Sequence, residues 1–170
     1  MDLGVFVRDI PDFPKPGVVF KDVTPMLKDP DAFRECILQM SSLVEGLDFD
    51  TIVAPEARGF IFAAPIAFHT RKALVPVRKP GKLPYETLEI DYELEYGKAT
   101  LQMHIDAIHK GAKVLIVDDI LATGGTMKAI AEMIEKCGGE VISILCLAEL
   151  NFLRPREKLA RYDVRTLISY

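Results

Sequence analysis

The sequence predicts an α/β fold, a mainly parallel central sheet flanked by helices, within a single domain spanning residues 1–170. Three observations predict it. Apolar runs of strand length, TIVA (51–54), ALVPV (73–77), VLIV (114–117) and VISILCLAEL (141–150), alternate with segments of helical period. VLIV is rich in β-branched residues and has no polar alternation, as expected of a central parallel strand covered on both faces. The length of 170 residues suits one domain, and 49% apolar with 27% charged residues excludes a disordered or fibrous chain.

The elements follow in order. The first 28 residues hold Pro11, Pro14, Pro16 and Pro25 with little periodicity, which predicts an irregular arm with short extended pieces. Asp29 then caps a helix that has Pro30 at its first position, with Phe33, Ile37, Met40, Val44 and Leu47 as its apolar stripe. TIVA is a buried strand, residues 60–71 are helical around Pro65, and ALVPV is a second strand. Residues 78–98 show no strong period and predict a long flexible loop, basic at Arg78, Lys79 and Lys82 and acidic from Glu86 to Glu95. In ATLQMHI (99–105), Leu101, Met103 and Ile105 alternate with polar residues as in a half-buried strand. VLIV leads to a helix over 126–137, striped by Met127, Ile130, Met133 or Ile134, and Cys137, and stopped by Gly138-Gly139. VISILCLAEL is another buried strand, and RTLIS (165–169) a peripheral one.

Composition narrows the function. A net charge of −4 argues against nucleic-acid binding. The cysteines Cys36, Cys137 and Cys146 are too few and scattered for a disulfide framework and predict reduced thiols. The N-terminus has no h-region, and the longest apolar stretches, 60–68 and 141–148, are too short to span a bilayer. A cytoplasmic protein without a membrane partner is expected. His69, His104 and His109 have no partners at metal-ligand spacing.

The chemistry-bearing segment is VLIVDDILATGGT (114–126). A strand runs into Asp118-Asp119, then a turn without bulky side chains, then a helix. Ligands of open α/β sheets bind beyond the carboxyl ends of strands. Backbone N–H groups of Ala122, Thr123, Gly124, Gly125 and Thr126, with the helix N-terminus, form a phosphate cradle. The GK[ST] of a Walker A loop is missing, as is the dinucleotide G-x-G-x-x-G. Paired acids beside a phosphate suit the hydroxyls of a ribose. Taken alone, Asp118-Asp119 reads equally well as a capped strand-end turn; the ATGGT that follows favours the sugar. Arg58, Lys79 and Lys82 taken singly read as surface charges.

This segment resembles the PRPP-binding motif of type I phosphoribosyltransferases. The blocks IPDFPKPGVVFKDVTPMLKD (10–29), EARGFIF (56–62), VRKPGKLP (77–84) and LEYGKATLQMHIDAI (94–108) narrow the resemblance to the adenine-specific members of that family. The resemblance implies an N-terminal hood over about residues 1–28 and the reaction of adenine with PRPP to give AMP and pyrophosphate with Mg2+, the metal held mainly through substrate and water. It also implies a homodimer. It assigns Asp118 and Asp119 to the ribose hydroxyls, directly or through Mg2+, Ala122–Thr126 to the 5′-phosphate, and Arg58, Lys79, Lys82 and Tyr96 to pyrophosphate, with the subunit that supplies the two lysines left open. Glu95 resembles the general acid towards the purine, a choice that spacing alone could not make among five loop acids. Val19, Phe20 and Lys21 resemble the adenine-binding positions of the hood. Two alternatives stay open: a phosphoribosyltransferase for xanthine or hypoxanthine, and a PRPP-sensing regulator without catalysis.

Overall fold

A computed structural model describes residues 1–94 and 97–170. Its centre is a five-stranded, all-parallel sheet in the order β4-β3-β7-β8-β9. The strands are β3 (Thr51–Pro55), β4 (Ala73–Val77), β7 (Lys113–Leu121), β8 (Glu140–Glu149) and β9 (Val164–Ser169). Both faces are covered, which is why the central strands read as unbroken apolar runs. Ile52, Leu115, Val117 and Leu145 face α2 (Pro30–Leu43) and α3 (Arg58–Thr70). Val53, Val114, Ile116 and Ile144 face α4 (Gly125–Lys136).

The expected caps are present. The Asp29 carboxylate accepts the N–H groups of Asp31 and Ala32 at 3.0 and 2.9 Å, and Pro30 opens α2. Cys36 and Cys146 are buried, Cys137 is half-buried, and all three are free; burial pushes the Cys36 thiol up to about 12.

The arm folds into a two-stranded hood, β1 (Arg8–Pro11) antiparallel to β2 (Val19–Asp22), followed by the short α1 (Thr24–Lys28). The extended pieces match expectation; α1 does not. Asp22 at the end of β2 accepts the Thr24 N–H and hydroxyl, each at 2.9 Å, and Pro25 lies in the first turn.

The reading of 78–98 as one flexible loop requires correction. Residues 87–93 form β5 (Thr87–Glu93), paired antiparallel with β6 (Lys98–His104), and the hairpin packs Ile90, Leu101 and Met103 into the core against α4. The signal was present: Leu88, Ile90 and Tyr92 alternate with Glu89, Asp91 and Glu93. The density of acids masked a period of two. Arg78 and Gln102 exchange backbone hydrogen bonds, so the basic end of the segment is tied to the same hairpin.

Two further details position the site. α3 begins at Arg58, two residues before the expected start, because Gly59 allows the helix to approach β3 and β7. A Cβ on Gly59 would lie 2.9 Å from Asp118 Oδ1 and 3.0 Å from Pro55 Cδ. At the end of β8, the buried Glu149 carboxylate accepts Arg156 Nε at 2.9 Å, holding the short α5 (Pro155–Lys158) beneath the turn that starts α4. No helix of the described residues is long and apolar enough to cross a membrane.

Candidate active site

The carboxyl ends of β3 and β7 lie side by side, with Thr51–Val53 in register with Val114–Ile116. Each strand then delivers its own chemistry. β3 ends at Pro55, and Glu56 and Ala57 lead into α3 with Arg58 at its first position. β7 continues through Asp118 and Asp119, longer than the VLIV core of the strand, before the turn to α4.

Asp119 is only 3% exposed, and Arg58 Nε donates to its Oδ2. A buried carboxylate needs such a partner, because its desolvation is otherwise uncompensated. The Arg58 side chain remains 46% exposed, so the guanidinium has donors left over on its solvent side. Asp118 is half-buried, and its Oδ1 accepts the Asp119 N–H at 2.8 Å. Burial, then the adjacent Asp119 charge, raises the Asp118 carboxyl well above its ordinary value.

The turn Ala122–Gly124 passes from β7 to α4 with Gly124 at φ +84°. A Cβ there would also meet Pro155 O at 2.8 Å, so glycine is required on both conformational and steric grounds. A pocket of about 80 Å³ lies over this turn, lined by Asp118, Ala122, Thr123, Gly124 and Thr126. The N-terminal end of α4 adds partial positive charge there. Beside it lies a cleft of about 420 Å³, lined by Glu56, Arg58, Lys79, Tyr92, Asp118, Asp119 and Thr126 among others.

Glu56 organises the basic rim. Its carboxylate accepts Lys82 Nζ at 2.5 Å, the Lys79 N–H at 2.8 Å and Arg78 Nε at 3.2 Å. Burial pushes this carboxyl up, but the Lys82 ammonium and the Lys79 N–H outweigh it and hold it below its ordinary value. The hood reaches the cleft from above: the Arg58 guanidinium carbon lies 5.1 Å from the centre of the Phe20 ring.

The structure thus brings together Arg58, Lys79, Asp118, Asp119 and residues 122–126, with Lys82 at the rim and Phe20 at the hood side. The Lys21 side chain turns away to Asp9, and Val19 is exposed at the hood edge. Glu95 and Tyr96 lie outside the described residues. Sequence reasoning missed Glu56, Gly59 and Tyr92. The first two sit inside the EARGF block around Arg58, and the third was legible in the β5 alternation. Among the described residues no three His, Cys, Asp or Glu side chains gather as a metal-binding group.

The chain matches the model of the phosphoribosyl transferase domain over residues 26–168. It is 65% identical, over the whole of both chains, to the adenine phosphoribosyltransferase of Kosmotoga olearia. The crystal structure of adenine phosphoribosyltransferase from Thermoanaerobacter pseudethanolicus superposes with a TM-score of 0.98 at 53% identity, covering 99% of this chain and 98% of that one. The Saccharomyces cerevisiae enzyme, crystallised with adenine and an imino-altritol bisphosphate, superposes with a TM-score of 0.91 at 36% identity over 98% of this chain and 96% of that one.

The raised Asp118 carboxyl gives a stability prediction with a definite sign. The folded protein keeps a proton that the unfolded chain has already released, so stability falls as pH rises from the ordinary carboxylate value to the folded one. Asp118→Asn removes the titrating carboxyl, so that no proton need be taken up on folding, and keeps an acceptor for the Asp119 N–H. Its melting temperature should exceed that of the wild type near neutral pH, by about 2–4 °C per kcal/mol relieved. The gap should close as pH falls to about 4. Melting curves of the two proteins across that range test this; a gap independent of pH contradicts it.

Proposed function

The chain belongs to the phosphoribosyl transferase family and, within it, to the adenine phosphoribosyltransferases, and from this premise we propose how its own residues carry the reaction. The enzyme serves purine salvage: it transfers the 5-phosphoribosyl group of PRPP to adenine, giving AMP and pyrophosphate. The observation that carries the residue assignment is the juxtaposition of Asp118-Asp119, the Ala122–Thr126 turn and Arg58 at the carboxyl ends of β3 and β7.

In this reading the 5′-phosphate sits on the backbone N–H groups of Ala122–Thr126, where the small pocket and the α4 N-terminus favour an anion. Asp118 and Asp119 accept hydrogen bonds from the ribose hydroxyls. Pyrophosphate occupies the cleft, held by the free donors of Arg58 and by Lys79, with Lys82 and Tyr96 adding to the same group. As the C1′–pyrophosphate bond breaks, C1′ gains positive charge and the leaving oxygens gain negative charge. The cations meet the second and the carboxylates the first, without reorganisation at the moment of reaction. A ring nitrogen of adenine bonds to C1′ as pyrophosphate leaves and gives up its proton, which Glu95 accepts; in the reverse direction Glu95 is the general acid towards the purine. Val19, Phe20 and Lys21 receive adenine, the ring of Phe20 offering an apolar face beside Arg58.

The adjacent oxygen donors of Asp118 and Asp119 fit Mg2+, which keeps its waters and binds through one or two carboxylates and substrate phosphates. When bound, the ion supplies positive charge to the phosphate oxygens. The reading also includes one domain with its hood at about residues 1–28, a cytoplasmic location and a homodimer. The last is supported by Phe68, 88% exposed on α3, and by the exposed Leu74 on the edge strand β4.

Two measurements test the reading. With PRPP and Mg2+, adenine should be turned over with a kcat/KM about 10²-fold or more above that of hypoxanthine or xanthine; comparable turnover of another base overturns the adenine assignment. Glu95→Gln should lower kcat by about 10²-fold or more while PRPP binding is retained; an unchanged kcat removes Glu95 from the mechanism.

A further inference from the structure

β2 presents alternate residues to opposite sides. Phe20 faces the Arg58 guanidinium, with the Phe13 ring edge-on at 5.2 Å. Lys21 points the other way. Its side chain is only 10% exposed, its ammonium lies 2.6 Å from Asp9 Oδ1, and it sits 3.9 Å from the centre of the Tyr170 ring. Asp9 is its partner across the hood, in register with it on β1, so that ion pair is internal to the hood. Tyr170 belongs to the body of the protein. Its N–H donates to Glu149 O at 3.0 Å, and its own carbonyl accepts the Asn151 N–H at 2.8 Å, fixing its backbone beside the sheet. The Tyr170 hydroxyl is buried and makes no hydrogen bond, so it is the face of the ring, not its oxygen, that makes the contact with Lys21.

We propose that Tyr170 is a positioning residue for adenine: its ring holds the Lys21 ammonium and so fixes the height of β2, and of Phe20, above the cleft. The inference rests on the reading of β2 as the adenine-binding strand. A desolvated cation over an aromatic face is a strong contact for its size, whereas the Asp9 pair, with Asp9 56% exposed, is screened by water. The body side of the strap is therefore the part that sets the position. Phe20 and the backbone of Val19 and Lys21 move with it, because all three residues are consecutive on one short strand. The phosphate turn and the carboxylate pair belong to β7 and α4 and do not depend on it.

The test compares Tyr170→Leu and Tyr170→Phe in the full chain. Leucine removes the aromatic face; phenylalanine keeps it and deletes only the unbonded hydroxyl. Tyr170→Leu should raise the KM for adenine about tenfold, leaving the KM for PRPP and kcat within about twofold, and Tyr170→Phe should keep the wild-type KM for adenine. Tyr170→Met, which keeps an apolar side chain of similar reach and removes the aromatic face, should reproduce the leucine effect and covers the case in which Tyr170→Leu does not fold. An unchanged adenine KM in the folded Leu and Met variants overturns the inference, as does a phenylalanine variant as impaired as the leucine one. So does a parallel rise in both KM values, the mark of a general loss of structure. A wild-type enzyme without saturable dependence on adenine overturns the reading of the site itself, and the inference with it.

Discussion

The ion pair between Arg58 and Asp119 is the constraint on which the site depends. Asp119 lies at the buried end of β7 and must have a counter-charge. Arg58 supplies it from the first position of α3, where the helix N-terminus already carries partial positive charge. A cation there is poor for the helix alone and good for an anion. Buried pairs are weak contributors to stability, so this one is better understood as an arrangement for chemistry. It fixes one edge of the guanidinium and leaves the rest facing the cleft. Gly59 makes the geometry possible, because any side chain there would push into Asp118 and Pro55.

Around that pair the site is built from opposed charges at graded depth. Asp118 and Asp119 share the floor, and the cost of keeping two carboxylates there shows in the raised Asp118 carboxyl. Glu56 gathers Lys82 and the 78–79 segment at the rim, so the basic residues are drawn to the cleft by a carboxylate of the same chain. The turn at Gly124 is pressed against Pro155, and Arg156 ties that helix to the buried Glu149. The phosphate cradle is thus backed by a second layer whose residues touch no substrate in the proposed arrangement.

Much of this was legible in the sequence, for identifiable reasons. Parallel strands buried on both faces leave unbroken apolar runs, and β3, β7 and β8 were read from them; the edge strand β4 carries the same kind of run although only Val75 and Val77 are buried. Asp29-Pro30 announced α2 through capping chemistry alone. The carboxylate pair followed by ATGGT marked the candidate site, because its spacing is set by a strand end and a helix start. What was not legible depends on tertiary contact. β5 is a surface strand whose inward residues are separated by acids, so its charge concealed its period. The early start of α3 depends on the close approach at Gly59. The grouping of Glu56 with Arg78, Lys79 and Lys82 links positions more than twenty residues apart, and no local pattern encodes it.

The most direct measurement of the central claim is a double-mutant cycle on Arg58→Met and Asp119→Asn, read in kcat/KM for PRPP. If the two residues act as one unit, the double variant should be no worse than the more damaged single variant, a strongly non-additive result. Losses that simply multiply would show that Arg58 and Asp119 act independently, and would contradict the account of the site as organised by their contact.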